Sequence, residues 1–126
     1  MPGKPIFVYG TLRRGERAHA RLAGAPFLGE ASTEAGYAWI DLGAYPGLVR
    51  AVSGQVVGEI YEIDAPRLAE LDAYEGHPAL FRRVELGLDG SDGGRPARAE
   101  GYLYMGDPED GIRLEGGDWR GRIRSR

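Results

Sequence analysis

Glycine sets the terms on which this chain can fold. It occupies 21 of 126 positions, more than twice the ~7% of an ordinary soluble protein. Together with eight prolines it brings the composition close to the range in which disorder becomes plausible. The remaining residues oppose disorder: 42% are hydrophobic and 10% aromatic, and only four are serine, so this is no linker composition. A glycine-rich chain with seven tyrosines and many short apolar runs reads as tightly turned β structure. Glycine supplies the positive φ that turns and bulges demand.

The length allows one domain, residues 1–126, which buries roughly two-thirds of its unfolded surface. The chain has no cysteine, which removes disulfides, thiol catalysis and zinc–thiolate sites together. It also fits a reducing, cytoplasmic setting. No apolar stretch approaches the ~20 residues of a membrane span, and the amino-terminal MPGKPIFVYGTL is too weakly charged and too short in its apolar run for a signal peptide. A cytoplasmic protein with no membrane partner is expected. Charge is unevenly spread. Residues 1–117 hold 12 of the 16 basic and 18 of the 19 acidic residues, a net of −6. Arg120, Arg122, Arg124 and Arg126 crowd the end. The acidic body repels nucleic acid, and the basic tail, 120–126, is too short for a binding footprint and reads as frayed and solvated.

Along the chain the spacing predicts short strands at Ile6 to Tyr9, Phe27 to Thr33, Gly36 to Asp41 and Leu48 to Val52. One or two helical turns are expected at Glu16 to Ala23. Gln55 to Ile63 is the strongest strand. It is apolar on both faces, which suits a closed or doubly covered sheet. The clearest helix follows: Asp64 can cap it, Pro66 falls in its first turn, and Leu68, Leu71 and Tyr74 share a face. Gly76 can take the left-handed position that ends it, which leaves Glu75 in the last turn. Phe81 to Leu88 and Arg98 to Met105 read as long strands joined through DGSDGG, and the loop-rich tail has Trp119 as its anchor. The expected fold is α+β, a small, mixed and mostly antiparallel β-barrel with one or two short helices.

Generic motif tests fail. GTLRRG lacks the spacing and the Lys-Ser/Thr of a P-loop. No G-x-S-x-G exists, and His19 and His77 are too few and too far apart for a His-rich metal site. Two segments remain, FVYGTLRRG at residues 7–15 and LDAYEGHPALFRR at residues 71–83. The first carries Tyr9, Gly10, Thr11 and Leu12, then Arg13, Arg14, Gly15 and His19. The second carries Leu71, Asp72, Tyr74, Glu75, Gly76, Pro78, Phe81 and Arg83. GGDWR, residues 116–120, is a third, weaker match. In order and spacing these resemble the γ-glutamylcyclotransferase superfamily, and within it the γ-glutamylamine cyclotransferase-like branch.

The resemblance implies a reaction in which the substrate's own α-amine attacks its γ-glutamyl carbonyl, giving 5-oxoproline and a free amine. Because the nucleophile arrives with the substrate, such an enzyme needs no serine, cysteine, metal or cofactor. Its partner is a small γ-glutamyl compound. It does need an acid/base, which the family pattern puts at Glu75. It also needs donors for the oxyanion and the glutamyl α-carboxylate, implied at Tyr9, Gly10, Thr11 and Leu12. Read without the resemblance, Glu75 is one of 19 acids, a solvated carboxylate at the helix pole that disfavours negative charge. The alternative is a domain that binds γ-glutamyl-like ligands with little turnover.

Overall fold

The computed structural model describes residues 3–16, 18–22, 24–89 and 96–113. Among these residues, eight strands and one main helix follow in the order β1 (Lys4–Val8), a 3₁₀ turn (His19–Leu22), β2 (Phe27–Thr33), β3 (Tyr37–Asp41), β4 (Pro46–Arg50), β5 (Val57–Ile63), α1 (Ala65–Glu75), β6 (Phe81–Asp89), β7 (Arg98–Tyr104), a second 3₁₀ turn (Pro108–Asp110) and β8 (Ile112–Arg113). The strand expected at Leu48 to Val52 is shifted two residues towards the amino terminus, and Val52 stands fully exposed. Strand β8 is an addition to the expected elements. The basic tail, the GGDWR match, Trp119 and all but the first residue of DGSDGG lie outside the described residues.

The strands form one mixed sheet in the order β1-β5-β2-β6-β7-β4-β3-β8. This corrects the expectation of a β-barrel. A barrel needs continuous ladders with a consistent stagger around the ring. Here the far edge of β7 is divided between two neighbours. It meets β1 at one parallel pair, Ile6 opposite Glu100, and β4 at another, Leu48 opposite Leu103. Neither contact is a ladder, and β4, β3 and β8 run on beyond β7 as an open branch. The two apolar faces of Gln55 to Ile63 have a different cause: the sheet is covered on both sides.

Alternation along β1 shows the two sides. Ile6 and Val8 join Tyr61, Ile63, Tyr102 and the helix residues Leu68 and Leu71 in one buried cluster. Phe7 and Tyr9 join Trp39, Leu48, Ile60 and Leu86 in another, to which strands of the same sheet contribute. Helix α1 is specified as its sequence implies. Asp64 accepts the Arg67 backbone N–H at 3.0 Å, a proline sits in the first turn, and Gly76 ends the helix with φ 70°. Among the described residues no helix is long and apolar enough to cross a membrane.

The close approach of β1 to β5 depends on Gly58, where an added Cβ would lie 2.4 Å from the Val8 carbonyl oxygen and 2.6 Å from the Phe7 ring. The backbone oxygen cannot yield without breaking the ladder that carries β1 into the site. Gly58→Ala is therefore expected to lower stability by about 1–3 kcal/mol, read from urea denaturation. An unchanged midpoint would show that β1 and β5 have slack.

Candidate active site

A cavity of about 480 Å³ opens where the end of β1, the end of α1 and the β3–β4 hairpin meet. It takes in the five residues to which the resemblance assigns a role, Tyr9, Gly10, Thr11 and Leu12 on one side and Glu75, beside Tyr74, at the end of α1. Tyr45, Leu80, Phe81 and Tyr102 supply much of the remaining wall.

The loop after β1 is shaped by its own backbone and fastened by buried polar groups. The Arg13 N–H donates to the Gly10 carbonyl at 3.1 Å and the Ala18 N–H to the Thr11 carbonyl at 2.9 Å. His19 Nδ1–H donates to the Leu12 carbonyl at 2.9 Å. Beneath the loop Glu59 accepts the Arg14 N–H at 2.8 Å and the Tyr61 hydroxyl at 3.0 Å. It also lies 3.8 Å from the Arg13 guanidinium, and both residues are only 2% exposed. The backbone N–H groups of Gly10, Thr11 and Leu12 have no hydrogen-bond partner among the described residues. Unsatisfied N–H groups bordering a cavity are ready donors for an anion or a polarised carbonyl. Gly10 does not take a positive φ, so no left-handed conformation demands glycine there.

Tyr9 is committed differently. Its hydroxyl donates to the Tyr102 carbonyl and accepts the Leu48 N–H, both at 2.9 Å. One phenol thus ties β1 to β7 and β4 where the sheet has only single bridges. Burial, then the charge of Glu75, raises its pKa well above the ordinary tyrosine value. The phenol stays neutral and keeps its proton for the bond to Tyr102.

Glu75 stands at the carboxyl end of α1, and no basic residue occupies that last turn. No side chain hydrogen-bonds or ion-pairs with it among the described residues. Burial in the cavity wall raises its pKa from 4.5 to about 7, because a desolvated carboxylate is disfavoured when no counter-charge compensates it. A group balanced there can take or give a proton near neutrality.

Its placement depends on a network one helical turn earlier. Arg83 on β6 grips Asp72 with two hydrogen bonds, Nε to Oδ1 at 3.0 Å and Nη2 to Oδ2 at 3.1 Å. It reaches Glu100 on β7 with Nη1. The Tyr102 hydroxyl donates to the same Asp72 Oδ1 at 2.6 Å, and the Arg83 N–H donates to Nδ1 of His77 at 3.1 Å. Burial works to raise the Asp72 pKa, but hydrogen bonds from Arg83 and Tyr102 outweigh it and hold the carboxyl below its ordinary value. Two carboxylates three residues apart on α1 are thus driven in opposite directions. The motif at residues 71–83 names Asp72 and Arg83 without joining them, and Tyr102 lies outside it. Glu59, an acid in the middle of the most apolar strand, is a signal outside both motifs.

These elements form a small α+β domain in which the desolvated Glu75 carboxyl and the loop after β1 border one cavity. The family described as "Gamma-glutamyl cyclotransferase, AIG2-like" matches residues 6–121. A putative γ-glutamylcyclotransferase of Vibrio cholerae is 38% identical over 118 residues, covering 94% of this chain and 96% of that protein. The γ-L-glutamyl-butirosin B γ-glutamyl cyclotransferase of Niallia circulans is 33% identical over 91% of this chain and 74% of its own length. The crystal structure of an AIG2-like protein from Mus musculus superposes with a TM-score of 0.81 at 28% identity, covering 94% of this chain and 90% of that one. The chain belongs to the AIG2-like γ-glutamyl cyclotransferase family, and γ-glutamyl cyclotransfer is its functional class.

Arg83→Gln would leave Asp72 and Glu100 without their shared cation. It is expected to lower stability at pH 7 by about 1–3 kcal/mol. Because the folded pKa of Asp72 is depressed, the contribution of the pair is present above the unfolded carboxylate value and is lost as pH falls through the folded one. The gap between variant and parent should therefore narrow in denaturation curves taken near pH 3. A gap that stays constant with pH would contradict the assignment.

Proposed function

We propose that the chain cyclises a γ-glutamyl amide, with Glu75 moving the proton. The substrate α-amine nitrogen attacks the γ-carbonyl carbon, forming the ring C–N bond, and the bond from that carbon to the leaving nitrogen breaks. Glu75 accepts the proton that the attacking amine sheds and returns it to the leaving nitrogen. The products are 5-oxoproline and the free amine, and no water is consumed. The N–H groups of Gly10, Thr11 and Leu12 receive the oxyanion and the glutamyl α-carboxylate. Within the family we favour the γ-glutamylamine cyclotransferase-like branch, on the Tyr9–Leu12 loop and the segment around Glu75.

One observation carries this reading: a carboxyl raised to about 7 shares a cavity with backbone donors that have no other partner among the described residues. Ring closure supplies the nucleophile in place, so the protein has only to orient the chain, stabilise charge and relay a proton. Tyr9 serves here as the strut behind the loop, with its ring in the cavity wall and its hydroxyl engaged by the backbone.

Glu75→Gln is expected to lower kcat/KM for 5-oxoproline release by about 10²–10⁴-fold, measured by mass spectrometry on a panel of γ-glutamyl compounds. Because the base works only when deprotonated, kcat/KM of the parent should rise with pH through about 7. A fully active Gln variant would remove Glu75 from the reaction. Ligand binding with heat but no product would instead favour a binding domain.

The same carboxyl has a stability signature of opposite sign to that of Asp72. With its folded pKa raised to about 7, the native state holds the Glu75 proton more tightly than the unfolded chain. Stability therefore declines as pH climbs from about 5 to 7. Glu75→Gln removes that penalty and should be more stable than the parent at pH 8 by about 1–3 kcal/mol, with no advantage near pH 4. Denaturation at both pH values tests it, and a variant less stable at pH 8 would contradict the desolvated charge.

A further inference from the structure

Among the described residues, two of the side chains lining the cavity are charged, Glu75 and Arg21. Arg21 lies in the 3₁₀ turn His19–Leu22. Its main chain is tethered to α1, because the Arg67 side chain donates to the Arg21 carbonyl at 3.3 Å. Its guanidinium lies 3.9 Å from the centre of the Tyr74 ring, on the residue that precedes Glu75. A cation on an aromatic face keeps its in-plane N–H groups free for a planar acceptor. No carboxylate pairs with Arg21 among the described residues. It is a cation in the wall of the cavity.

The proposed reaction, on which this inference rests, fixes where the leaving amine lies. Its nitrogen must come within hydrogen-bond reach of Glu75 to recover a proton. The glutamyl carboxylate and carbonyl take the donors of the Gly10–Leu12 side. The substituent on the leaving nitrogen is left the outer part of the cavity, where Tyr74 and Leu80 are 38% and 44% exposed and Arg21 stands over Tyr74. A cavity near 480 Å³ is large enough to hold that substituent beside the glutamyl group.

We propose that Arg21 is a specificity-determining residue that receives a carboxylate carried by the leaving amine, as in an amino acid, and disfavours amines that carry a second positive charge. A guanidinium pairs with a planar carboxylate through two parallel N–H donors. The same group repels a polyamine ammonium across the short span of the rim. The body of the chain is net acidic, so this preference has to be made locally.

The test compares three substrates by 5-oxoproline release: γ-glutamyl-phenylalanine, its carboxamide, and the γ-glutamyl amide of 1,4-diaminobutane. In the parent, kcat/KM should be about tenfold higher for the carboxylate than for the carboxamide, and lowest for the diamine. In Arg21→Gln the preference should collapse, the carboxylate substrate falling and the diamine rising. Arg21→Lys should restore part of it, and Arg21→Glu should invert the order of carboxylate and diamine. A uniform fall on all three substrates would mean that Arg21 holds the glutamyl group instead, and would overturn the proposal. So would equal rates for all three in the parent. In both cases the cyclotransferase reading would stand, because product forms. No 5-oxoproline from any substrate would overturn that reading and this inference with it.

Discussion

A carboxylate stays out of water beside a cavity only if something stronger holds its backbone in place, and here that is the grip of Arg83 on Asp72. Two hydrogen bonds at 3.0 and 3.1 Å, a third from Tyr102 at 2.6 Å and the contact to Glu100 fix the helix against β6 and β7. That network is partly buried, and its charges balance because Lys4 also lies 3.5 Å from Glu100. Glu75, one turn later, has no such partner. The energetic cost of desolvating it is met by packing and by its neighbours' ion pairs, as is common where a group is set apart for proton transfer. Helix polarity works the same way, since α1 presents its negative pole to the carboxyl end where Glu75 sits.

The opposite wall follows a parallel logic with different chemistry. Glu59, buried under the loop, collects the Arg14 N–H, the Tyr61 hydroxyl and the Arg13 charge. The neighbouring N–H groups of Gly10, Thr11 and Leu12 are left without partners among the described residues. Tyr9 joins the two walls, because its hydroxyl binds the backbone of Tyr102, whose own hydroxyl binds Asp72. The loop and the helix are thus connected through two phenols and one carboxylate.

Local rules made the helix fully legible in the sequence. Asp64, Pro66, Leu68, Leu71 and Gly76 each have a role set by neighbours a few residues away, and such roles survive without knowledge of the whole fold. Strands were legible in position and blurred at their ends. The closure of the sheet was not legible, because the apolar pattern on both faces of Gln55 to Ile63 follows equally from a barrel and from a sheet covered twice. Only the division of the β7 edge between β1 and β4 separates them. At the site, motif spacing brought out the loop and Glu75. The Arg83–Asp72–Tyr102 network joins residues 72, 83 and 102 across three elements, and no local spacing encodes such a contact. The glycines sort into two kinds: Gly76 permits a backbone conformation, whereas Gly58 permits an approach.

The proton on the Glu75 carboxyl can be followed directly. Side-chain carboxyl carbon shifts of isotopically labelled protein, followed by NMR from pH 3 to 9, resolve each glutamate, and Glu75→Gln identifies the resonance. Glu75 is expected to titrate near 7 in the substrate-free protein while Asp72 titrates below the ordinary aspartate value. A Glu75 midpoint near 4.5, the value of an exposed glutamate, would contradict the raised value.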